Sequence, residues 1–137
     1  MNSLEAVLIS QRVQYIVEKL LEHFNLLWVA DYQRIIVLER LSTGRLSLED
    51  GTQIALFEDY VIEDYHLVIV RYAYLWYDRN GSELLRADNS EHHDVTTSPH
   101  HLHDSRWQIE RIKPFGGQRR AHPDITEFFA WMRGERR

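Results

Sequence analysis

Cysteine is absent from the 137 residues, which excludes a disulfide framework and any thiolate metal site. A reducing cytoplasm fits that absence, and a cytoplasmic location is expected. The start, Met1-Asn2-Ser3-Leu4-Glu5, has no basic segment followed by an apolar one, so no secretory leader is expected. No stretch approaches the roughly 20 apolar residues of a membrane span. Internal repeats and low-complexity linkers are missing too, which leaves one domain over residues 1–137.

Apolar residues make up 44% of the chain and aromatics 12%, enough for a sizeable core. Net charge is −5, unevenly spread. Residues 1–105 carry 8 basic and 17 acidic side chains, and residues 106–137 carry 8 basic and 4 acidic. A basic C-terminal third can face phosphate or an acidic partner. The plainer explanation is a solvated helix end, because Arg133, Arg136 and Arg137 are terminal.

Residues 4–24 place Leu4, Val7, Leu8, Tyr15, Ile16, Leu20, Leu21 and Phe24 near helical spacing. Ser3 is the predicted N-cap and Asn25 the predicted stop. Residues 1–28 thus read as a helical extension, and 31–133 as an α+β core. In that core Ile35–Leu38 is a short β-branched run. Arg45–Glu49 alternates, and Asp50-Gly51 leads into Thr52–Glu58, a strong hairpin signal.

His66–Tyr77 is the longest predicted strand. One face shows Val68, Val70, Tyr72, Tyr74 and Trp76, and the other is interrupted by Arg71. Two mostly apolar faces predict a central strand covered on both sides. Asn80-Gly81 supplies a second turn, and Glu83–Ala87 returns to deliver Asp88-Asn89. Residues 88–105 read mostly as loop, Arg106–Ile112 as the last strand, and Pro114, Gly116 and Gly117 as breakers. A final helix starts near Asp124, with Glu127 at capping-box spacing. The expected fold is an antiparallel sheet of about five or six strands with an N-terminal and a C-terminal helix packed on it.

Five of the eight histidines fall within twelve residues: His92, His93, His100, His101 and His103. Histidine is the commonest metal ligand and the one side chain whose ordinary pKa lies near neutrality. Crowding five of them does little for a core. His101 and His103, two apart on an extended segment, point both rings to one side. His92 or His93, with Asp88, can complete a metal site for a divalent ion such as Zn²⁺, Mn²⁺ or Ni²⁺. The spacing matches none of the strong zinc signatures.

Metal-free acid–base chemistry on a phosphodiester uses the same residues. One imidazole takes the proton of a ribose 2′-hydroxyl and another protonates the leaving 5′-oxygen. Arg86 or Arg106 would stabilise the phosphorane, and Asp88 would orient a base histidine. The plainer alternative makes Asp88-Asn89 a turn and each histidine a satisfied loop residue. The tyrosines of the long strand read as core and rim rather than a base-stacking platform. Arg71 must reach an edge, a carboxylate or a ligand.

Several segments together resemble the TumE-type toxin component of bacterial and archaeal toxin–antitoxin pairs. They are Leu46-x-Leu48-Glu49-Asp50-Gly51-Thr52-x-x-x-Leu56-x-x-Glu58, then Arg71-Tyr72-x-Tyr74 and Asn80-Gly81. The specific part is Arg86-x-Asp88-Asn89-Ser-x-His92-His93, followed by Ser98-Pro99-His100-His101-x-His103. The resemblance spans about residues 40–133. Three departures stand out: Ala87 where an aromatic is usual, Ser90-Glu91 in place of Ala-Pro, and Leu102 in place of a basic residue.

The resemblance implies a cognate antitoxin, often a helix-turn-helix protein, as partner. Ribonuclease action is inferred from the histidines and from what toxins of this size commonly do. The expected catalytic pool is His92, His93, His100, His101, His103 and Asp88. Arg71, Arg86, Asn89 and Arg106 are the expected substrate contacts, and His101, His103 and His92 the expected metal ligands. The competing expectation is a non-catalytic module that binds a partner or a metal through the histidine loop. In either case the N-terminal helix is a candidate surface for a homo-oligomer.

Overall fold

A computed structural model describes residues 2–24, 36–37, 41–91, 93–116 and 123–137. Helix α1 spans Ser3–His23, followed by the two-residue strands β1 (Ile36–Val37), β2 (Leu41–Ser42) and β3 (Leu46–Ser47). Five longer strands come next: β4 (Gln53–Glu63), β5 (His66–Tyr77), β6 (Glu83–Asp88), β7 (His101–Asp104) and β8 (Arg111–Pro114). Helix α2, Ile125–Met132, closes the chain. All pairings are antiparallel in the order β1-β2-β4-β5-β6-β7-β8, with β3 also on β4. The fold is α+β, as the sequence predicts.

Both helices pack on one face of this sheet. Strand alternation puts Ile54, Leu56, Tyr72, Tyr74, Leu85, Ala87 and Leu102 on that face, all buried with Phe128 of α2 and Ile9, Ile16 and Leu20 of α1. The other face carries Asp59, Arg71, Ala73, Arg86, Asp88, His101 and His103, given the pairings Asp59↔Arg71, Ala73↔Asp88, Asp88↔His101 and Arg86↔His103. The expected cover on both sides of β5 is therefore corrected. Among the described residues, helices cover one face, and the opposite face carries the polar groups of a site.

Strand β5 also changes parity along its length. The pairing shifts from Asp59↔Arg71 to Tyr60↔Ile69, leaving Val70 as the extra residue of a bulge. Before the bulge Leu67 and Ile69 pack on the core, while Val68 and Val70 are exposed; beyond it Tyr72 and Tyr74 face the core. The predicted face Val68-Val70-Tyr72-Tyr74-Trp76 is thus split in two. The β4–β5 hairpin turns at Asp64 and Tyr65, with φ of 48° and 65°. Such a turn favours Asn-Gly, and its residues gave no turn signal in the sequence.

Local devices differ from several expectations. The N-cap of α1 is Asn2, whose Oδ1 accepts from the Glu5 amide at 2.7 Å, one residue before the predicted Ser3. The helix ends at His23, and the predicted stop Asn25 lies outside the described residues. The Asp50-Gly51 turn forms as predicted, with Gly51 at φ 87° and Asp50 Oδ1 accepting from the Thr52 amide at 2.9 Å. The Asp124–Glu127 capping box does not form. Asp124 instead accepts from the Tyr15 and Thr126 hydroxyls, which ties α1 to the start of α2, and Glu127 pairs with Arg136.

The largest correction concerns residues 88–114. Residues His101–Asp104 are a fully buried internal strand between β6 and β8, not loop. The predicted strand Arg106–Ile112 is displaced: β8 begins only at Arg111 and runs through Pro114, expected to be a breaker. Asp104 explains part of the shift. It has 0% exposure and accepts from Arg106 Nε and Nη2, each at 2.9 Å, and from Lys113 Nζ at 2.8 Å. Arg106 is drawn back onto the end of β7, while Trp107 and Ile109 are left 63% and 72% exposed.

Candidate active site on the open sheet face

Three adjacent strands present the open-face groups. Arg71 comes from β5, Arg86 and Asp88 from β6, and His101 and His103 from β7. His93 and Ser90 enter from the β6–β7 connection. Phe57, Asp59, Arg71, Ala73, Arg86, Asp88, Ser90, His93 and His103 line one cleft, with His101 directly behind it at 1% exposure.

The two imidazoles of β7 are each held by Nδ1. His101 Nδ1 lies 2.9 Å from the Pro99 carbonyl, and His103 Nδ1 lies 2.9 Å from Glu110 Oε1. A carbonyl oxygen only accepts, so His101 Nδ1 carries the proton and donates it. Glu110 also accepts: its hydrogen bond from His103 holds its carboxyl below the usual carboxylate range. The two Nε2 atoms consequently turn inward, 3.2 Å apart. The ring of His93 stands edge-on to both, with centroids 4.6 Å from His101 and 5.0 Å from His103.

Asp88 is the hub. Its Oδ1 accepts from the Ser90 amide at 2.9 Å and lies 3.1 Å from His101 Nε2. Its Oδ2 is 3.4 Å from Arg86 Nε and 3.8 Å from His103 Nε2. Arg86 Nη2 donates to His103 Nε2 at 3.2 Å. Arg71 is exposed on the rim, and its side chain makes no hydrogen bond or ion pair among the described residues. Two cations therefore border a cleft of imidazoles and the carboxylates of Asp59 and Asp88.

Other sequence-predicted residues lie elsewhere. His100, one position out of phase with its neighbours, turns to the core face, where its Nδ1 is 2.8 Å from the Tyr72 hydroxyl and its ring stacks on Tyr72. Burial, then the neighbouring His101, pushes the His100 pKa down. Asn89 bridges strand β5: its Oδ1 accepts from the Tyr72 amide at 3.1 Å and its Nδ2 donates to the Val70 carbonyl at 3.0 Å. It extends β6 by side chain past Asp88, where the pairing of that strand with β5 ends. Arg106 is committed to Asp104 and the Trp131 carbonyl, on the helix side. His92 lies outside the described residues.

Asp59 and Ser90 of the cleft, and the two groups that hold the β7 imidazoles, went unread in the sequence. Glu110 fell inside the misplaced strand, and the Pro99 carbonyl has no side-chain signal at all. Leu102, where the resemblance has a basic residue, is fully buried on the helix face and so makes no cleft contact.

The family described as Toxin TumE matches residues 17–136. The chain belongs to the TumE toxin family. An antitoxin is the partner this family implies. The match begins inside α1, well before the motifs that carry the resemblance, so the last third of that helix falls within the matched region. No curated protein and no solved structure matches the chain. Among the described residues, no helix is long and apolar enough to cross a membrane.

Proposed function

We propose that this chain is the toxin of a toxin–antitoxin pair, acts in the cytoplasm, and cleaves RNA as an endoribonuclease at the histidine cleft. One observation carries the reading: His93, His103 and Asp88 share a cleft with Arg71 and Arg86 on the face opposite the two described helices. A buried histidine cluster that served only packing would not open onto two arginines.

Cleavage at a ribose needs three services. A base takes the 2′-hydroxyl proton, and the 2′-oxygen then attacks phosphorus. A cation stabilises the phosphorane, and an acid protonates the 5′-oxygen as its bond to phosphorus breaks. Asp88 and the imidazoles of His93, His101 and His103 supply the proton-handling or ligating groups. Arg86 and Arg71 supply the phosphate contacts; the planar guanidinium fork matches phosphate oxygens. His100, Asn89 and Arg106, included in the wider residue pool, serve instead to hold the strands that carry the cleft.

The antitoxin is the partner we assign, and a helix-turn-helix protein would suit the role. For self-association the exposed Leu4, Val7 and Leu21 of α1 are the available apolar groups. The test is expression of the full chain without an antitoxin, beside His93→Ala and Asp88→Asn. Growth arrest and RNA fragmentation by the wild type, relieved by both variants, are expected. A wild type that neither slows growth nor cuts RNA in vitro removes the enzymatic reading.

A further inference from the structure

The inward-facing imidazoles pose an electrostatic problem. With both Nδ1 atoms held outward on Pro99 and Glu110, the Nε2 atoms of His101 and His103 face each other at 3.2 Å. Asp88 Oδ1 adds a third electron-rich atom 3.1 Å from His101 Nε2. A nitrogen of His93 completes a set with His101 and His103 in which all ligand atoms lie within 4.8 Å of one another. Arg86 Nη2 is the cation that now touches His103 Nε2, and Arg86 is 40% exposed, with room to swing outward.

We infer that this cluster binds one divalent transition-metal ion through His93, His101 and His103. Three imidazoles suit Zn²⁺, Ni²⁺ and similar borderline ions more than Mg²⁺ or Ca²⁺, which prefer oxygen. Metal-ligating histidines almost always donate their other ring N–H to a carbonyl or carboxylate, which fixes the tautomer and raises ligand basicity. His101 on Pro99 and His103 on Glu110 have that arrangement. Three protein ligands leave a fourth position for water. It would open toward the cleft, because His93 and His103 line the cleft while His101 sits behind. Asp88 stands beside that position, able to accept a proton from a bound water. Metal entry displaces Arg86 from His103 and frees its guanidinium for substrate phosphate.

Ion binding at this cluster does not depend on RNA cleavage. The experiment is calorimetric titration of the chelator-treated full chain with Zn²⁺, Ni²⁺ and Mg²⁺, paired with thermal melts. Zn²⁺ and Ni²⁺ are expected to bind at one ion per chain, with Mg²⁺ weaker. Saturating Zn²⁺ is expected to raise the melting temperature by roughly 5–10 °C, reversed by chelator. His93→Ala, at the half-buried cleft wall, removes a ligand without opening the core and should cost tenfold or more in affinity.

Glu110→Ala touches no ion, yet should weaken binding roughly 10–100-fold through the orientation of His103. The exposed His66→Ala serves as control and should bind as wild type. No stoichiometric Zn²⁺ or Ni²⁺ binding, or wild-type affinity in both His93→Ala and Glu110→Ala, overturns the site. In that case a proton shared among His101, His103 and Asp88 satisfies the cluster. Ion binding without RNA cleavage keeps the metal site and removes the ribonuclease, whereas chelator-resistant cleavage without binding does the reverse.

Discussion

Asp88 Oδ1 lies 3.1 Å from His101 Nε2, and the same oxygen is fixed by the Ser90 amide at 2.9 Å. The carboxylate is thus oriented by backbone before any ligand arrives, and its second oxygen faces Arg86 and His103. Asp88→Asn keeps an oxygen for the Ser90 amide but loses the charge and the ability to accept a proton. RNA cleavage by this variant is expected to fall roughly a hundredfold or more. The change in melting temperature should be small. Cleavage assays on wild type and Asp88→Asn at equal folded concentration check it, and equal rates would remove Asp88 from the chemistry.

Asp104 sits on the opposite face of the same strand and does structural work. Burial pushes its carboxyl up, but the hydrogen bonds from Arg106 and Lys113 outweigh that and hold it well below the usual carboxylate range. A carboxyl depressed on folding contributes stability that is fully present above its ordinary pKa of about 4. That contribution is lost as pH falls through the folded value. Asp104→Asn should cost about 3 kcal/mol at pH 7, because two cations lose their buried counter-charge. Urea melts between pH 7 and pH 2 should show the wild-type advantage shrinking below about pH 4. A gap that stays constant with pH would mean that packing, rather than charge, sets the difference.

How much of this was legible in the sequence depended on which signal each residue sends. The Asp50-Gly51 turn and the His66–Tyr77 strand could be read directly, since turn chemistry and a β-branched, aromatic run are local properties. Arg71 was read as a charge needing an explanation, but a bulge at Val70 changes parity without leaving any residue signature. Strand β7 was hidden because histidine and aspartate ordinarily mark loops. Here His101, His103 and Asp104 are buried by partners distant in sequence, and periodicity cannot report a partner. For the same reason His93, His101 and His103 could be named as members of a pool but not separated from His100, whose side of the strand follows only once β7 is known.

His100 and Tyr72 give a direct test of that separation. Their hydrogen bond and ring stacking lie on the core side, away from the cleft. Burial pushes the Tyr72 hydroxyl far up, so it remains a neutral partner at working pH. Tyr72→Phe should therefore cost about 1 kcal/mol of stability through one lost hydrogen bond. Zn²⁺ affinity and RNA cleavage per folded molecule should be unchanged. A tenfold loss of either at unchanged stability would move His100 into the site.

Asn89 joins the site to the fold by a different route. Its side chain replaces two backbone hydrogen bonds that β6 no longer supplies to Tyr72 and Val70. Asn89→Ala should leave the Tyr72 amide and the Val70 carbonyl unpaired by protein at a cost of about 1–2 kcal/mol. Hydrogen exchange at the Tyr72 amide should quicken more than at Tyr74, which stays within the β5–β6 pairing. Unchanged exchange at Tyr72 would show that water replaces the side chain at no cost.

Arg12 of α1 and Glu58 of β4 couple helix to sheet directly. Arg12 Nε donates to Glu58 Oε1 at 2.9 Å and Nη2 to Oε2 at 2.5 Å, while the Tyr74 hydroxyl donates to Oε2 at 2.6 Å. Glu58 is 1% exposed, so its charge has little solvent to fall back on. Arg12→Met leaves that carboxylate buried with the Tyr74 hydroxyl as its remaining hydrogen-bond donor among the described residues. A cost of about 3–4 kcal/mol is expected. Glu58→Gln with Arg12→Met removes both charges together and should be less damaging than the two single costs summed. A double-mutant cycle by urea denaturation should therefore give a coupling energy above about 1 kcal/mol. Additive single costs would mean that the pair is held in place by the packing of Ile9 and Ile16 around it, with the charges adding nothing to the docking of α1.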